Sequence, residues 1–161
     1  MFKLNKEPNS WSPLTATSAK IENDYLDFRC QGSPQCNGEL QWRDSKGSII
    51  RKWSALSGCT SPPCRQAYYK LPSRIYHIFN IREKPINSAW CDLLNWCWAA
   101  DLEPWQFYYN GELRGSFQIH PDGGVKGTQG CIGITRPNTS GLSENLFYFR
   151  LNYGKMKVIV E

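Results

Sequence analysis

The dipeptide Asn110-Gly111 constrains the fold of this chain more than any other pair of residues. A two-residue turn with φ > 0 at both central positions favours that pair, and such turns join antiparallel strands. Residues 105–109 and 112–119 are therefore predicted as the arms of a β-hairpin. The same logic recurs along the chain. Leu40 and Trp42 alternate with polar neighbours, Asp44-Ser45-Lys46-Gly47 supplies a turn, and Ile49, Ile50 and Trp53 resume on a second strand. Residues 25–28 are a short strand candidate, R-I-Y-H-I-F-N-I at 74–81 alternates as another, and 59–72, with three prolines, reads as a surface loop. Near the C-terminus, residues 143–145 read as a turn, and L-F-Y-F-R-L and K-V-I-V read as closing strands.

One helix interrupts this pattern. Ser88 can cap a helix over 88–101 whose residues Trp90, Leu93, Leu94, Cys97 and Trp98 fall at i, i+3, i+4, i+7 and i+8, with Pro104 just past its end. The expectation is a mainly β fold with one amphipathic helix. A chain of 161 residues has room for a single core of ordinary size, so residues 21–161 are read as one domain behind an irregular, polar lead-in at 1–20.

The chemistry concentrates in S-F-Q-I-H-P-D-G-G-V-K-G-T-Q-G-C-I-G-I, residues 116–134. Phe117 and Ile119 alternate with Gln118 and His120, which puts His120 at a strand's end on the polar face. Ten residues separate His120 from Cys131, four of them glycine, enough to turn the chain and return the imidazole beside the thiol. Gly130 lets the backbone turn sharply just before Cys131, so the amides of Gly130 and Cys131 can face a developing oxyanion. An unperturbed thiol is mostly protonated at neutral pH, and an adjacent imidazole is the usual means of activating it. Cys131 is thus the candidate nucleophile and His120 the candidate base. Thr128 and Asp122 are close enough in sequence to orient them, although Asp before Gly-Gly more commonly caps a turn. Histidine before cysteine at this short interval argues against peptidases in which the cysteine comes first, and against caspases, whose histidine lies about 50 residues upstream. The second histidine, His77, alternates with Ile75, Phe79 and Ile81, where a histidine is usually a packed core residue.

The stretch H-P-D-G-G-V-K-G-T-Q-G-C-I-G resembles the catalytic signature of the L,D-transpeptidases, in which a histidine precedes a loop ending in Ser/Thr-x-Gly-Cys and an aliphatic residue. Thr128, Gln129, Gly130, Cys131 and Ile132 occupy those positions, and His120 the histidine's. The short interval is most similar to the small type VI secretion L,D-transpeptidase effectors. Two positions depart from the pattern: Gly133 stands where the family often has a substrate-facing arginine, and Gln129 where a second histidine is common. Arg136 is the nearest replacement for the missing charge, so Gln129 and Arg136 are the expected substrate contacts. The resemblance implies an L,D-transpeptidase-like β-sandwich or barrel and no cofactor. It implies attack by Cys131 on the bond between the L-centre of a diamino acid and D-alanine in peptidoglycan tetrapeptide stems. Hydrolysis and D-amino acid exchange rank above cross-linking. It further implies a secreted protein acting in the periplasm of a target bacterium, with a cognate immunity protein as partner. The competing reading is a non-catalytic, disulfide-rich wall-binding module whose aromatics hold glycan and whose Cys131 is a buried structural thiol.

Composition narrows the rest. The net charge is +5, yet Lys and Arg are scattered, so no nucleic-acid groove is indicated, while a mildly basic surface suits an anionic wall polymer. No stretch approaches the length of a membrane span, and the first residues lack the apolar core of a signal peptide. Seven cysteines invite three pairs and one reactive thiol, with Cys131 the odd one out. Cys30 with Cys36 and Cys59 with Cys64 flank short proline-containing loops that a disulfide could close in an oxidising compartment. Cys91 and Cys97, placed on one helix, would stand about 9 Å apart and could not pair. With two histidines and no Cys-x-x-Cys spacing, zinc has no local scaffold.

Overall fold

The computed structural model describes residues 21–59, 68–123 and 128–161. Its strands are β1 (Tyr25–Gln31), β2 (Cys36–Arg43), β3 (Ile49–Ser57), β4 (Arg74–Glu83), β5 (Trp98–Glu103), β6 (Gln106–Tyr109), β7 (Glu112–Gly115), β8 (Gln118–Pro121), β9 (Ile132–Ile134) and β10 (Met156–Val160). A helix, α1 (Ser140–Tyr153), separates the last two. Eight strands close into a barrel in the order β1-β10-β4-β5-β8-β9-β3-β2, and β6-β7 forms a separate two-stranded sheet. Parallel pairing occurs at β1–β10 and at β8–β9. The architecture is thus mainly β with one helix. The lead-in at 1–20, Cys64 and residues 124–127 of the His-to-Cys loop lie outside the described residues.

Alternation explains the closure. Leu26, Phe28, Leu40, Trp42, Tyr76, Ile78, Ala100, Leu102, Ile119, Ile132 and Val158 are all buried and share one core, into which α1 sends Leu142, Leu146 and Phe149. Phe149 meets Trp42 edge-on at 6.1 Å between ring centroids. Buried side chains such as these contribute about 1.5–3 kcal/mol each relative to exposure. The predicted turns are present: Asn110 and Gly111 have φ of 50° and 79°, and the Asp44 carboxylate accepts the amides of Lys46 and Ser48.

Four expectations are corrected. The first is the helix over 88–101. Residues 88–97 form a looped segment leading into β5, which takes up 98–101, because Cys91 and Cys97 are disulfide-bonded with Cα atoms 3.9 Å apart, a separation a helix cannot give. The Asp92 carboxylate replaces helical hydrogen bonding by accepting the amides of Leu94 and Trp96, and Asn95 takes φ 60°. The apolar spacing that looked helical serves a disulfide loop and the barrel strand carrying Trp98. The second correction is α1 itself, which occupies the span read as turn and strand. Asn138 accepts the Ser140 amide at its start, Gly154 with φ 89° ends it, and Leu142, Leu146 and Phe149 mark its buried stripe at i, i+4 and i+7.

The third concerns the strand 112–119, which is broken. Ser116, at φ 60°, turns the chain from β7 out of the hairpin and into the barrel at β8. His77 is the fourth: it is half-buried rather than a core residue. The interior face of β4 is Tyr76, Ile78 and Ile81, and an irregularity between Ile78 and Asn80 shifts the alternation. Of the cysteine pairs, Cys30–Cys36 is formed, with Cα atoms 5.3 Å apart, and Cys59 is disulfide-bonded, whereas its pairing with Cys64 falls outside the described residues. No helix among the described residues is long and apolar enough to cross a membrane.

Candidate active site

The parallel pair β8–β9 brings the two chemical residues together. Ile119 pairs with Ile132 and His120 with Gly133, so one step back along the register Gln118 stands beside Cys131. Side chains alternate across a sheet, and Ile119 and Ile132 point into the barrel. Gln118, His120, Cys131 and Gly133 therefore share the outer face. His120 and Cys131 are diagonal neighbours there, a relation in which Cβ atoms stand roughly 7 Å apart, within reach of rotating side chains.

That outer face is the floor of a cleft of about 700 Å³. Gln118, His120 and Cys131 line the floor, Thr128, Gln129 and Asp122 the loop side, Ala89 and Trp90 of the disulfide loop one wall, and Leu113, Arg114 and Gly115 of the hairpin another. The disulfide loop is fixed to α1 through Asp92, whose second carboxylate oxygen accepts both the amide and the hydroxyl of Thr139 at 2.8 Å. Trp96 adds a bond to the Ser143 hydroxyl at 2.7 Å. Gly123 is required where this loop meets the His-to-Cys loop, since a Cβ there would lie 2.6 Å from the Cys91 carbonyl oxygen.

His120 is buried and neutral. Its Nδ1 lies 2.7 Å from the Pro121 carbonyl, which can only accept, so Nδ1 carries the proton and Nε2 keeps the lone pair. Burial pulls the imidazole pKa down, the bond to Pro121 offsets part of that, and the Lys84 cation adds to the lowering. Cys131 is the free cysteine among the described residues. Its thiol donates to the Ser116 carbonyl at 3.5 Å. Burial pushes its pKa up to about 11. The Gln118 amide, Arg114 and Lys84 work against that rise, and the Asp101 carboxylate adds to it. The resting pair is thus neutral thiol and neutral imidazole. The thiolate fraction is not raised at rest, so any attack by this sulfur would require proton transfer to accompany it.

Thr128 holds the loop that presents Cys131. Its hydroxyl donates to the Cys131 carbonyl at 2.6 Å and accepts the Gly58 amide at 3.0 Å, and its own amide bonds the Gly58 carbonyl. Gly130 takes φ 92°, the turn expected before the cysteine. Asp122 packs over Gly133: a Cβ at Gly133 would lie 2.8 Å from both Asp122 Cβ and Thr128 Cγ2. No arginine fits there. Gln129 is exposed at the cleft edge. Arg136 is exposed and lines a different hollow, with Glu39 and Arg51, so it does not join this cleft.

Residues that sequence reasoning passed over complete the surroundings. Asp101 is buried and bonded by Arg82, Asn80 and Gln118, and Trp90 donates to the Gln118 side chain at 3.1 Å. Lys84 lies 4.3 Å above the Trp90 ring. Arg114 faces inward while its neighbour Leu113 is exposed, the reverse of what polarity predicts. No periodicity reports such an inversion. Among the described residues there is no cluster of three or more metal-ligating side chains. Compared with family models, curated proteins and solved structures, the chain matches none.

Proposed function

We propose that this chain is a cysteine-dependent acyl transferase of the L,D-transpeptidase type. It would cleave the bond between the L-centre and D-alanine of peptidoglycan tetrapeptide stems. The observation that carries this reading is the shared outer face of β8–β9, which makes His120 and Cys131 diagonal neighbours lining one cleft. His120 Nε2 takes the thiol proton as Sγ attacks the stem carbonyl. The tetrahedral oxyanion is received by the amides of Gly130 and Cys131, with about 3 kcal/mol expected from one well-placed donor. The carbon–nitrogen bond then breaks, the imidazolium returns its proton to the departing D-alanine amine, and a thioester remains on Cys131. Water or a D-amino acid resolves it. The disulfides Cys30–Cys36 and Cys91–Cys97 fit work in an oxidising compartment such as the periplasm. A producing cell would need an immunity protein covering the cleft.

The competing wall-binding reading draws on one observation, the raised thiol pKa, which is what an inert buried cysteine shows. Incubation with tetrapeptide muropeptides, followed by mass, separates the two. Release of D-alanine that is lost in Cys131→Ala and in His120→Ala supports the enzyme; untouched muropeptides under conditions that keep the thiol free refute it.

A further inference from the structure

We propose that Arg114 is the anion-recognition residue of this cleft, engaging the free carboxylate of the leaving D-alanine. The proposal takes the identity of the anion from the acyl-transfer reading, but the case for an anion site stands on Arg114 itself.

Arg114 sits on β7, opposite Phe107, and is 3 % exposed. A cation so deeply buried is unfavourable unless it is compensated. Compensation here is incomplete. One Nη donates to the Lys70 carbonyl at 3.0 Å and the other to the Tyr69 carbonyl, while Nε is buried with no hydrogen-bond partner among the described residues. The rings of Tyr109 and Phe117 lie 6.0 and 5.9 Å from the guanidinium carbon. No carboxylate among the described residues forms an ion pair with it. Arg114 nonetheless lines the cleft that holds Cys131, as well as a second hollow that it shares with Tyr69, Lys70 and Tyr109. Its field reaches the sulfur and favours the thiolate.

A buried arginine with an unmatched donor, lining the same cleft as Cys131, is complementary to an anionic ligand. A carboxylate bound there supplies the missing acceptor. In the proposed substrate that carboxylate is on the carbon next to the scissile nitrogen, so its capture positions the carbonyl over Sγ. Position 133, which cannot hold a side chain without displacing Asp122 and Thr128, leaves this role to a residue from the hairpin.

The test uses iodoacetate and iodoacetamide, reagents alike in size that differ in charge. The ratio of their rates at Cys131 cancels the thiolate fraction. The expected ratio in the native protein is about tenfold above that of the same protein unfolded in denaturant with its disulfides intact. Arg114→Met should return the ratio to the unfolded value, and Arg114→Lys should retain part of it. A native ratio equal to the unfolded one overturns the proposal, as does an Arg114→Met protein that keeps the native ratio. Should Arg114→Met fail to fold, the native-to-unfolded comparison and Arg114→Lys still decide. Stems ending in D-alanine or D-alanine amide are assayed in parallel, with the acid expected to be preferred in an Arg114-dependent way. Turnover of stems with a flat reagent ratio refutes Arg114 and leaves Cys131 standing. An Arg114-dependent ratio with no turnover of either stem refutes the acyl-transfer reading instead.

Discussion

Gly133→Ala tests the packing that holds Cys131. The added Cβ would meet Asp122 Cβ and Thr128 Cγ2, each at 2.8 Å, and Asp122 Cγ at 3.2 Å. Neither close atom is the end of a flexible side chain. Thr128 is tied to Gly58 and to the Cys131 carbonyl, so it cannot yield without moving the loop that presents the thiol. Overpacking of this kind costs about 1–3 kcal/mol. For a chain of this size each kcal/mol lowers Tm by about 2–4 °C. Thr128→Ser removes the clashing methyl and keeps the hydroxyl, so Thr128→Ser/Gly133→Ala should recover part of the loss, with a coupling of about 1 kcal/mol in a double-mutant cycle. Asp122 still obstructs, which keeps the rescue partial. Thermal unfolding of the four proteins and the iodoacetamide rate at Cys131 are the assays. Gly133→Ala with the parent's Tm and rate, or strictly additive substitutions, would refute the packing. Gly133→Arg, which places there the residue that the resemblance to the L,D-transpeptidases would lead one to expect, should be worse than Gly133→Ala.

Two more outcomes follow from buried groups. Asp92→Asn puts an amide where four donors converge on a carboxylate, so it should cost about 2 kcal/mol or more and, under the proposed activity, slow turnover by loosening the Trp90 wall; an unchanged urea midpoint contradicts this. His120 has a folded pKa below its unfolded value, so the unfolded chain binds the extra proton, and the stability His120 contributes is present above about pH 6.5 and lost as pH falls below it. His120→Gln should flatten the fall in urea midpoint between pH 7.5 and pH 5; an identical slope in both proteins counts against the buried neutral imidazole.

Strand patterning and turn chemistry were legible in the sequence because their signals are local: Asn110-Gly111, the Asp44 turn and the alternation in β2 need no tertiary context. So was the placement of His120 on the polar face of a strand, since Ile119 marks the opposite one. The two helix errors share a physical origin. Residues 88–101 carry helical apolar spacing, but a disulfide and the Asp92 carboxylate give their backbone another way to satisfy itself. In α1 the aromatic and aliphatic run 146–151 favours a strand by intrinsic preference, and burial of Leu142, Leu146 and Phe149 against the barrel overrides it. Arg114 was illegible for a different reason: nothing on β7 announces that Arg114, rather than Leu113, faces inward. Arg136 was proposed on sequence proximity to Cys131, and the short strand β9 carries the chain away from the cleft before reaching it.

The central claim is that Cys131 becomes acylated by a tetrapeptide stem with His120 as the base. Intact-protein mass after rapid quenching in acid reads it directly. The expected result is one stem-derived adduct lacking D-alanine, located on Cys131, released by hydroxylamine as a thioester must be, and absent from Cys131→Ser and His120→Ala. A protein that releases D-alanine with no adduct on Cys131, or one that forms the adduct equally well without His120, would contradict the account.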